Sequence, residues 1–363
     1  MNVQALPMHR FIDYQGNLVK PLPNWADENT LLQFYRDMVI ARVYDAKAVA
    51  LQRTGKLGTY PSHLGAEAIG IAIGHSLTRA DVFVPYYRDM PALWVRGIAI
   101  EKNLQYWGGD ERGSDFEFED GSPCTDLPFC VPIATQCTHA VGVAAALKIK
   151  GNHNVALVTC GDGATSKGDF LESLNCAGAW NIPLVFVVNN NQWAISVPRT
   201  LQCGAEFLAD KAVGGGVPGI TVDGNDVIAM FDTILEAVGR ARKGKGASLI
   251  EAISYRLSDH TTADDASRYR NDSELQQAWD YEPIKRLKSY LMSQRMWSDK
   301  QEQQLTQEAK AIVEAAVARY LAMAPQPPES TFDYLYETPT KELAPQRDTL
   351  INKTLRMQGG KHD

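Results

Sequence analysis

GDGATSKGDFLESLNCAGAWNIPLVFVVNNNQW, residues 161–193, decides the architecture. An apolar run, residues 155–160, leads into Gly161-Asp162-Gly163, and a second, residues 184–188, leads into Asn189-Asn190-Asn191. Between them Phe170, Leu174 and Ala177 recur at helical spacing, and Asn181-Ile182-Pro183 stops the helix. The pattern is strand–helix–strand. Such crossovers are right-handed and leave the strands parallel, so both strands end on one edge of one sheet. Asp162 and Asn191, 29 residues apart, are therefore expected side by side. A carboxylate and an amide oxygen beside a Gly-rich turn that opens a helix suit Mg²⁺ and a diphosphate. Mg²⁺ takes hard oxygen ligands and shares them with phosphates and water. The free N–H groups of Gly163 and Ala164 at the helix start would hold the anion.

Working outward, residues 29–54 form a helical pattern with Leu32, Tyr35, Met38, Val39 and Val43 on one side. A second helix lies within residues 62–77. A short strand, 81–85, runs into Tyr86-Tyr87-Arg88-Asp89, and a Gly- and acid-rich loop occupies 108–121. A small-residue helix, 135–150, precedes the first core strand. Strand 219–223, helix 226–242 and strand 248–257 follow the Asn-rich turn. By the crossover rule Arg256 and His260 reach the same edge as Asp162 and Asn191. Residues 305–321 read as an amphipathic packing helix. The expected fold is α/β, a mostly parallel sheet with helices on both faces. Residues 1–26, polar and Pro-bearing, should fray or wrap a neighbour. Residues 27–323 should form the domain, and APQPPEST, from Ala324, should open a linker and tail, 324–363.

The 363 residues, 45% hydrophobic, suffice for one large α/β domain or two fused ones. A net charge of −7 carries no nucleic-acid signature. The six cysteines show neither CxxC nor zinc spacing, and several sit in apolar runs; they read as buried, reduced thiols of a cytosolic protein. The start, MNVQALPMHR, lacks a secretory apolar region. No apolar run approaches the roughly 20 residues that span a bilayer. A cytoplasmic protein without nucleic-acid or membrane partners is expected.

Four motifs in order, YYRDMP, GDGATSKGDF, NNNQWAIS and YRLSDHTTADDASRYR, resemble the alpha subunit of the heterotetrameric, thiamine-diphosphate-dependent 2-oxo acid dehydrogenase first component. The resemblance runs from about residue 19 to about 336. Bacterial pyruvate dehydrogenase alpha subunits are the nearest in pattern, with branched-chain 2-oxo acid and acetoin dehydrogenase alpha subunits beside them. The resemblance implies a thiamine diphosphate-binding fold, Mg²⁺–thiamine diphosphate, decarboxylation of pyruvate and acylation of a lipoyl group. Asp162 and Asn191 would bind Mg²⁺ with the main-chain carbonyl of Trp193, whose ring would pack in the core. Tyr87, Arg88 and Arg256 would contact the diphosphate, arginine through its bidentate fork. The main chain at Val131 and Ile133, within CVPIATQ, would hold the aminopyrimidine.

His260 matches the active-site histidine that serves acyl transfer to the lipoyl arm, where a near-neutral pKa suits proton donation. The segment after it resembles a cofactor-dependent loop. Thr261 stands where animal relatives carry a regulatory serine, which argues against kinase control of that kind. Asp264, Asp265, Arg268, Tyr269 and Arg270 either staple this loop or form a solvated surface. His63 and His139 either approach the site or pack, and Glu67 reads as structural. The aminopyrimidine also needs a carboxylate, which the chain does not supply; in the family a beta subunit does. An α2β2 assembly, a lipoyl-bearing acyltransferase core and a small 2-oxo acid are the implied partners. A non-catalytic nucleotide-binding module is the rival of another class, against which stands the absence of GxxxxGK[ST].

Overall fold

The computed structural model describes residues 8–359. Strands β1 (Val82–Val84), β2 (Ala156–Gly161) and β3 (Leu184–Asn190) are followed by a hairpin of β4 (Trp193–Ala194) and β5 (Val197–Pro198). Strands β6 (Gly219–Asp223) and β7 (Ser248–Ile253) complete the set. The main sheet is five-stranded and parallel throughout, in the order β1-β2-β3-β7-β6. β2, β3 and β7 are apolar for most of their length because both faces are covered. Val185, Val187 and Ile250 face a core built with helices Glu28–Arg53, Glu67–Ser76 and Val227–Arg242. Leu184, Phe186, Val188 and Leu249 face the opposite core, built with helices Thr135–Ile149 and Gly168–Ala179. The period-two alternation of strand side chains sorts them between these faces.

Two expectations at the sheet edge change. β7 stops at Ile253 rather than at 257. The chain stays extended, but its partners change once β3 ends: Ser254 N–H donates to Asn190 O (2.9 Å), Arg256 N–H to Asn191 O (3.2 Å) and Leu257 N–H to Leu64 O (3.3 Å). The Gly-rich turn does not open the long helix directly. Asp162–Ser166 is a 3-10 turn, and the helix starts at Gly168 after an extended Lys167. Thr165 Oγ1 closes the turn on Asp162 O (2.8 Å).

Residues 8–26 are held against the chain's own sheet edge. His9 bridges the edge strand β6, with Phe11 and Ile12 buried beneath. Asp226 caps helix Val227–Arg242 with one carboxylate oxygen and accepts from Phe11 N–H (2.7 Å) and Ile12 N–H (2.9 Å) with the other. Burying two such side chains contributes roughly 1.5–3 kcal/mol each. Residues 1–7 of that expected segment lie outside the described residues.

The chain divides into two units, the second starting at Leu321. That unit holds a 3-10 turn, Pro328–Phe332, and a helix, Leu343–Gly359. Residues 360–363 of the expected tail lie outside the described residues. Helix Asp299–Leu321 starts earlier than the 305 expected and buries Leu305, Ala309, Val313, Ala316 and Val317. Among the described residues no helix is long and apolar enough to cross a membrane, and all six cysteines are free thiols, Cys137 and Cys160 buried and four half-buried.

Candidate active site

The C-terminal strand ends enclose a cavity of about 190 Å³. Each wall comes from a different strand end, which is why residues far apart in sequence meet there. After β1 come Tyr87 and Arg88; after β2, Asp162, Gly163 and Ala164; after β3, Asn191 and Trp193; beyond β7, His260. Ile133 enters from the segment ahead of helix Thr135–Ile149. Val131 does not line the cavity; its side chain is exposed. Arg256 lies behind the wall, buried, and reaches the site through His260 and the carbonyls of Trp193 and Ile195.

Asp162 is the sole acidic side chain lining this cavity. Burial pushes its carboxyl up to about 6, against the pull of Arg256 and Arg88. Gln202 Nε2 donates to its Oδ2 (3.0 Å) and orients it. Trp193 N–H donates to Asn191 Oδ1 (3.2 Å), which fixes the amide beside the turn. The Trp193 ring packs in a small core with Tyr255, Leu257 and Ala278. Among the described residues no cluster of three or more His, Cys, Asp or Glu could hold a metal. A cation here would need amide and carbonyl oxygens beside the one carboxylate, with further oxygens from a ligand.

Two guanidiniums, Arg88 in the wall and Arg256 behind it, bond no carboxylate among the described residues. Arg88 donates to Ser62 O and to His260 O (3.1 and 3.2 Å). Arg256 donates to Trp193 O (3.5 Å), Ile195 O (2.9 Å) and Tyr269 Oη (2.7 Å), while its Nε, buried, has no partner. Burial lowers the Arg256 pKa, and Arg88 and Arg270 nearby lower it further. A Cβ built on Gly161 would meet nothing within 4 Å, so that backbone borders open space. Paired arginines without a carboxylate, a bare glycine and one carboxylate fit a diphosphate carried with Mg²⁺.

His260 Nδ1 lies 3.3 Å from Arg256 Nη1 and 3.4 Å from Arg88 Nη2. Guanidinium nitrogens only donate, so Nδ1 accepts and the proton resides on Nε2. Burial, then Arg88 and Arg256, push the imidazole pKa down to about 4, with Asp264 opposing. The near-neutral value expected from sequence thus gives way to a neutral ring held between two cations. Asp264 accepts from His260 N–H (2.8 Å) and from Tyr269 Oη–H, and Arg270 donates to the carbonyls of Arg256 and Ser258. These residues staple the loop; Asp265 caps its 3-10 turn.

None of the remaining candidates lines the cavity. His63 is buried, with Nε2 3.1 Å from Ala41 O and Nδ1 3.3 Å from Asp45. Glu67, fully buried, pairs with Arg42 (2.5 Å), which also pairs with Glu282 (2.6 Å). His139 is exposed on helix Thr135–Ile149 and lines no part of the cavity. Sequence reasoning passed over Tyr86, Cys130, Gln136 and Ile195, all in the wall. All four sit inside quoted motifs, so adjacency was the available signal. Ile195 carries φ 54°, costly for a β-branched residue, at the tip of the β4–β5 hairpin.

Comparison with known proteins identifies the family. The model of the family described as "Dehydrogenase E1 component" matches residues 35–329. The chain belongs to that family. Its members depend on thiamine diphosphate. The chain is 43% identical over 285 residues to a Mycobacterium tuberculosis 3-methyl-2-oxobutanoate dehydrogenase subunit alpha, covering 78% of this chain and 77% of that one. It is 36% identical to a Staphylococcus aureus pyruvate dehydrogenase E1 component subunit alpha, covering 95% and 93%. A Mycoplasma pneumoniae protein of the same description is 35% identical, covering 94% of each. The chain is thus the alpha subunit of a 2-oxo acid dehydrogenase first component.

Proposed function

We propose that this chain binds Mg²⁺–thiamine diphosphate at the C-terminal sheet edge and, with a beta subunit, decarboxylates pyruvate and acetylates a lipoyl group. Asp162 Oδ, Asn191 Oδ1 and the Trp193 carbonyl would hold Mg²⁺. Arg88, Arg256 and Tyr87, with the N–H groups of Gly163 and Ala164, would hold the diphosphate. The main chain at Val131 and Ile133 would seat the aminopyrimidine. The bound cofactor would supply the electron sink for loss of CO₂. The chain's own residues orient it, exclude water and place the Nε2–H of His260 where a hydrogen-bond donor serves acyl transfer. A diphosphate between Arg88 and Arg256 would cancel the charge that now depresses His260, returning it toward the acid–base range.

The observation that carries the two-chain reading is the cavity wall itself. Its one acid, Asp162, is taken by the metal role, so no carboxylate remains for the aminopyrimidine. A beta subunit would bring it, giving a cytoplasmic α2β2 assembly that delivers its acyl group to a lipoyl-bearing acyltransferase core.

A second substrate reading has its own support: the 43% identical relative is described by 3-methyl-2-oxobutanoate. One pocket separates small apolar side chains by only about 1–3 kcal/mol per methylene. The experiment is purification with the partner chain from the native source, then kcat/KM on pyruvate and 3-methyl-2-oxobutanoate. Pyruvate is expected to lead, with measurable turnover of the other. The reverse order would install the branched-chain reading, and sustained decarboxylation by the chain alone would remove the beta subunit from the proposal.

A further inference from the structure

Below the cavity lies a layer of buried polar side chains that the proposed chemistry does not use. Thr159, on β2, is at its centre. Its Oγ1 accepts from Tyr86 N–H (3.0 Å) and donates to the carboxylate of Asp89, which accepts from the same Tyr86 N–H (3.1 Å). Its carbonyl accepts from Gln136 Nε2 (2.9 Å). Asn189, on β3, continues the layer: Nδ2 donates to Tyr86 Oη (2.9 Å), and Oδ1 accepts from Ser254 Oγ (2.7 Å). Thr159, Asp89, Asn189 and Ser254 are all buried, and none lines the cavity.

We propose that this layer, with Thr159 as its hub, is the positioning device that sets the candidate cofactor ligands in register. The inference rests on the cofactor reading above. Tyr87 and Arg88 hang from the turn that Thr159 Oγ1 and Asp89 fix. The segment carrying Ile133 ends at Gln136, which the Thr159 carbonyl fixes. Asp162 follows Thr159 on the same strand, and Arg256 follows Ser254. Four arms from four parts of the chain are thereby tied to one another at their roots. A hydroxyl in a buried strand is unfavourable unless bonded, and valine would fill the same space in the run VALVTCG. The threonine is explained by the two partners of its hydroxyl, Tyr86 N–H and Asp89. Misplacement of a ligand by about 1 Å is enough to cost a site much of its function, whereas the sheet beneath would tolerate it.

The test uses the chain purified with its beta subunit, as wild type and as Thr159→Val and Thr159→Ser variants, with Mg²⁺–thiamine diphosphate titrated calorimetrically and cofactor-free melting followed in parallel. Thr159→Val should weaken cofactor binding by about tenfold, the scale of one lost hydrogen bond. Thr159→Ser, which keeps the hydroxyl, should bind within about threefold of wild type. A purely packing role predicts the opposite order of damage: lower melting in both variants and wild-type affinity in Thr159→Val. That result would overturn the inference, as would equal impairment of the serine variant. Should Thr159→Val not fold, Ser254→Ala serves. It cuts the layer at its far end and should bind cofactor about threefold more weakly with unchanged melting. Unchanged affinity there overturns the layer. Wild type that binds no cofactor removes the parent reading and this inference together; wild type that binds, with variants that bind equally, removes this inference alone.

Discussion

Two buried arginine regions of this chain differ in what faces the cation. Under the β1 end, Arg96 meets Asp126 through two bonds, Nε to Oδ2 (2.6 Å) and Nη2 to Oδ1 (2.7 Å), and donates to Asp81 O (3.0 Å). At the opposite end of the strands, Arg88 and Arg256 are as deeply buried, yet their partners are carbonyls, a hydroxyl and an imidazole nitrogen. A buried charge is tolerated when it is paired and hydrogen-bonded. The Arg96 region meets that condition within the chain. In the Arg88–Arg256 region, among the described residues, neither guanidinium bonds a carboxylate, and Asp162 and Asp264 act on them only through space. The difference separates a structural arginine from a ligand-binding one more sharply than burial does.

Mutation should break the two regions differently. Arg96→Met leaves Asp126 buried and uncompensated, and the chain should lose about 3–5 kcal/mol of stability in urea unfolding. Arg256→Met removes a cation that lacks an anion; cofactor-free stability should hold or rise, and affinity for Mg²⁺–thiamine diphosphate should fall. Equal destabilisation by both substitutions would erase the distinction. On the ligand side, Asp162→Ala deletes the one acidic group of the cavity. Mg²⁺-dependent cofactor binding should then vanish from calorimetric titration in a folded variant, and retained affinity would remove the metal assignment.

His260 sharpens the comparison because it lies between the two unpaired cations. His260→Ala should keep cofactor binding and lose reductive acylation of a free lipoyl domain by about 10²-fold or more, the scale of a positioned acid–base group. Near-normal acylation would reduce His260 to a spacer between arginines.

Much of this was legible in the sequence because strand order fixes which residues meet. The run 161–193 brought Asp162 and Asn191 to one edge, and the crossover rule brought Arg256 and His260 there without knowledge of any contact. Local geometry was less legible. The 3-10 turn at Asp162–Ser166 shares its apolar spacing with the helix that follows, so one helix start was expected where two elements lie. The hold on residues 8–26 depends on Asp226, more than 200 positions away, and no local pattern announces such a partner. Of the three asparagines in a row Asn191 alone lines the cavity; Asn189 and Asn190 bond across to Tyr86, Ser254 and Glu251. Asn189 and Asn190 sit on opposite faces of β3, and Asn191 lies just beyond the strand end, a distinction to which composition is blind.

The same arginines make the smallest and most specific prediction, the titration of His260. Its pKa in the cofactor-free chain is pushed down to about 4, burial acting first and Arg88 and Arg256 next. An unfolded histidine titrates near 6.5. Between these two values the unfolded chain binds a proton that the folded chain refuses, so the contribution of this site to stability is full above about pH 6.5 and is lost as pH falls toward 4. Nitrogen-15 spectra of imidazole-labelled chain should show the Nε2–H tautomer at pH 7 and no protonation of His260 before about pH 5. Adding inorganic diphosphate with Mg²⁺ should raise the midpoint, because an anion between the guanidiniums cancels the field that burial alone does not produce. A His260 that titrates near 6.5 without ligand, or whose midpoint ignores diphosphate, would mean that Arg88 and Arg256 already have their counter-charge, and the contrast with Arg96 would fail at its origin.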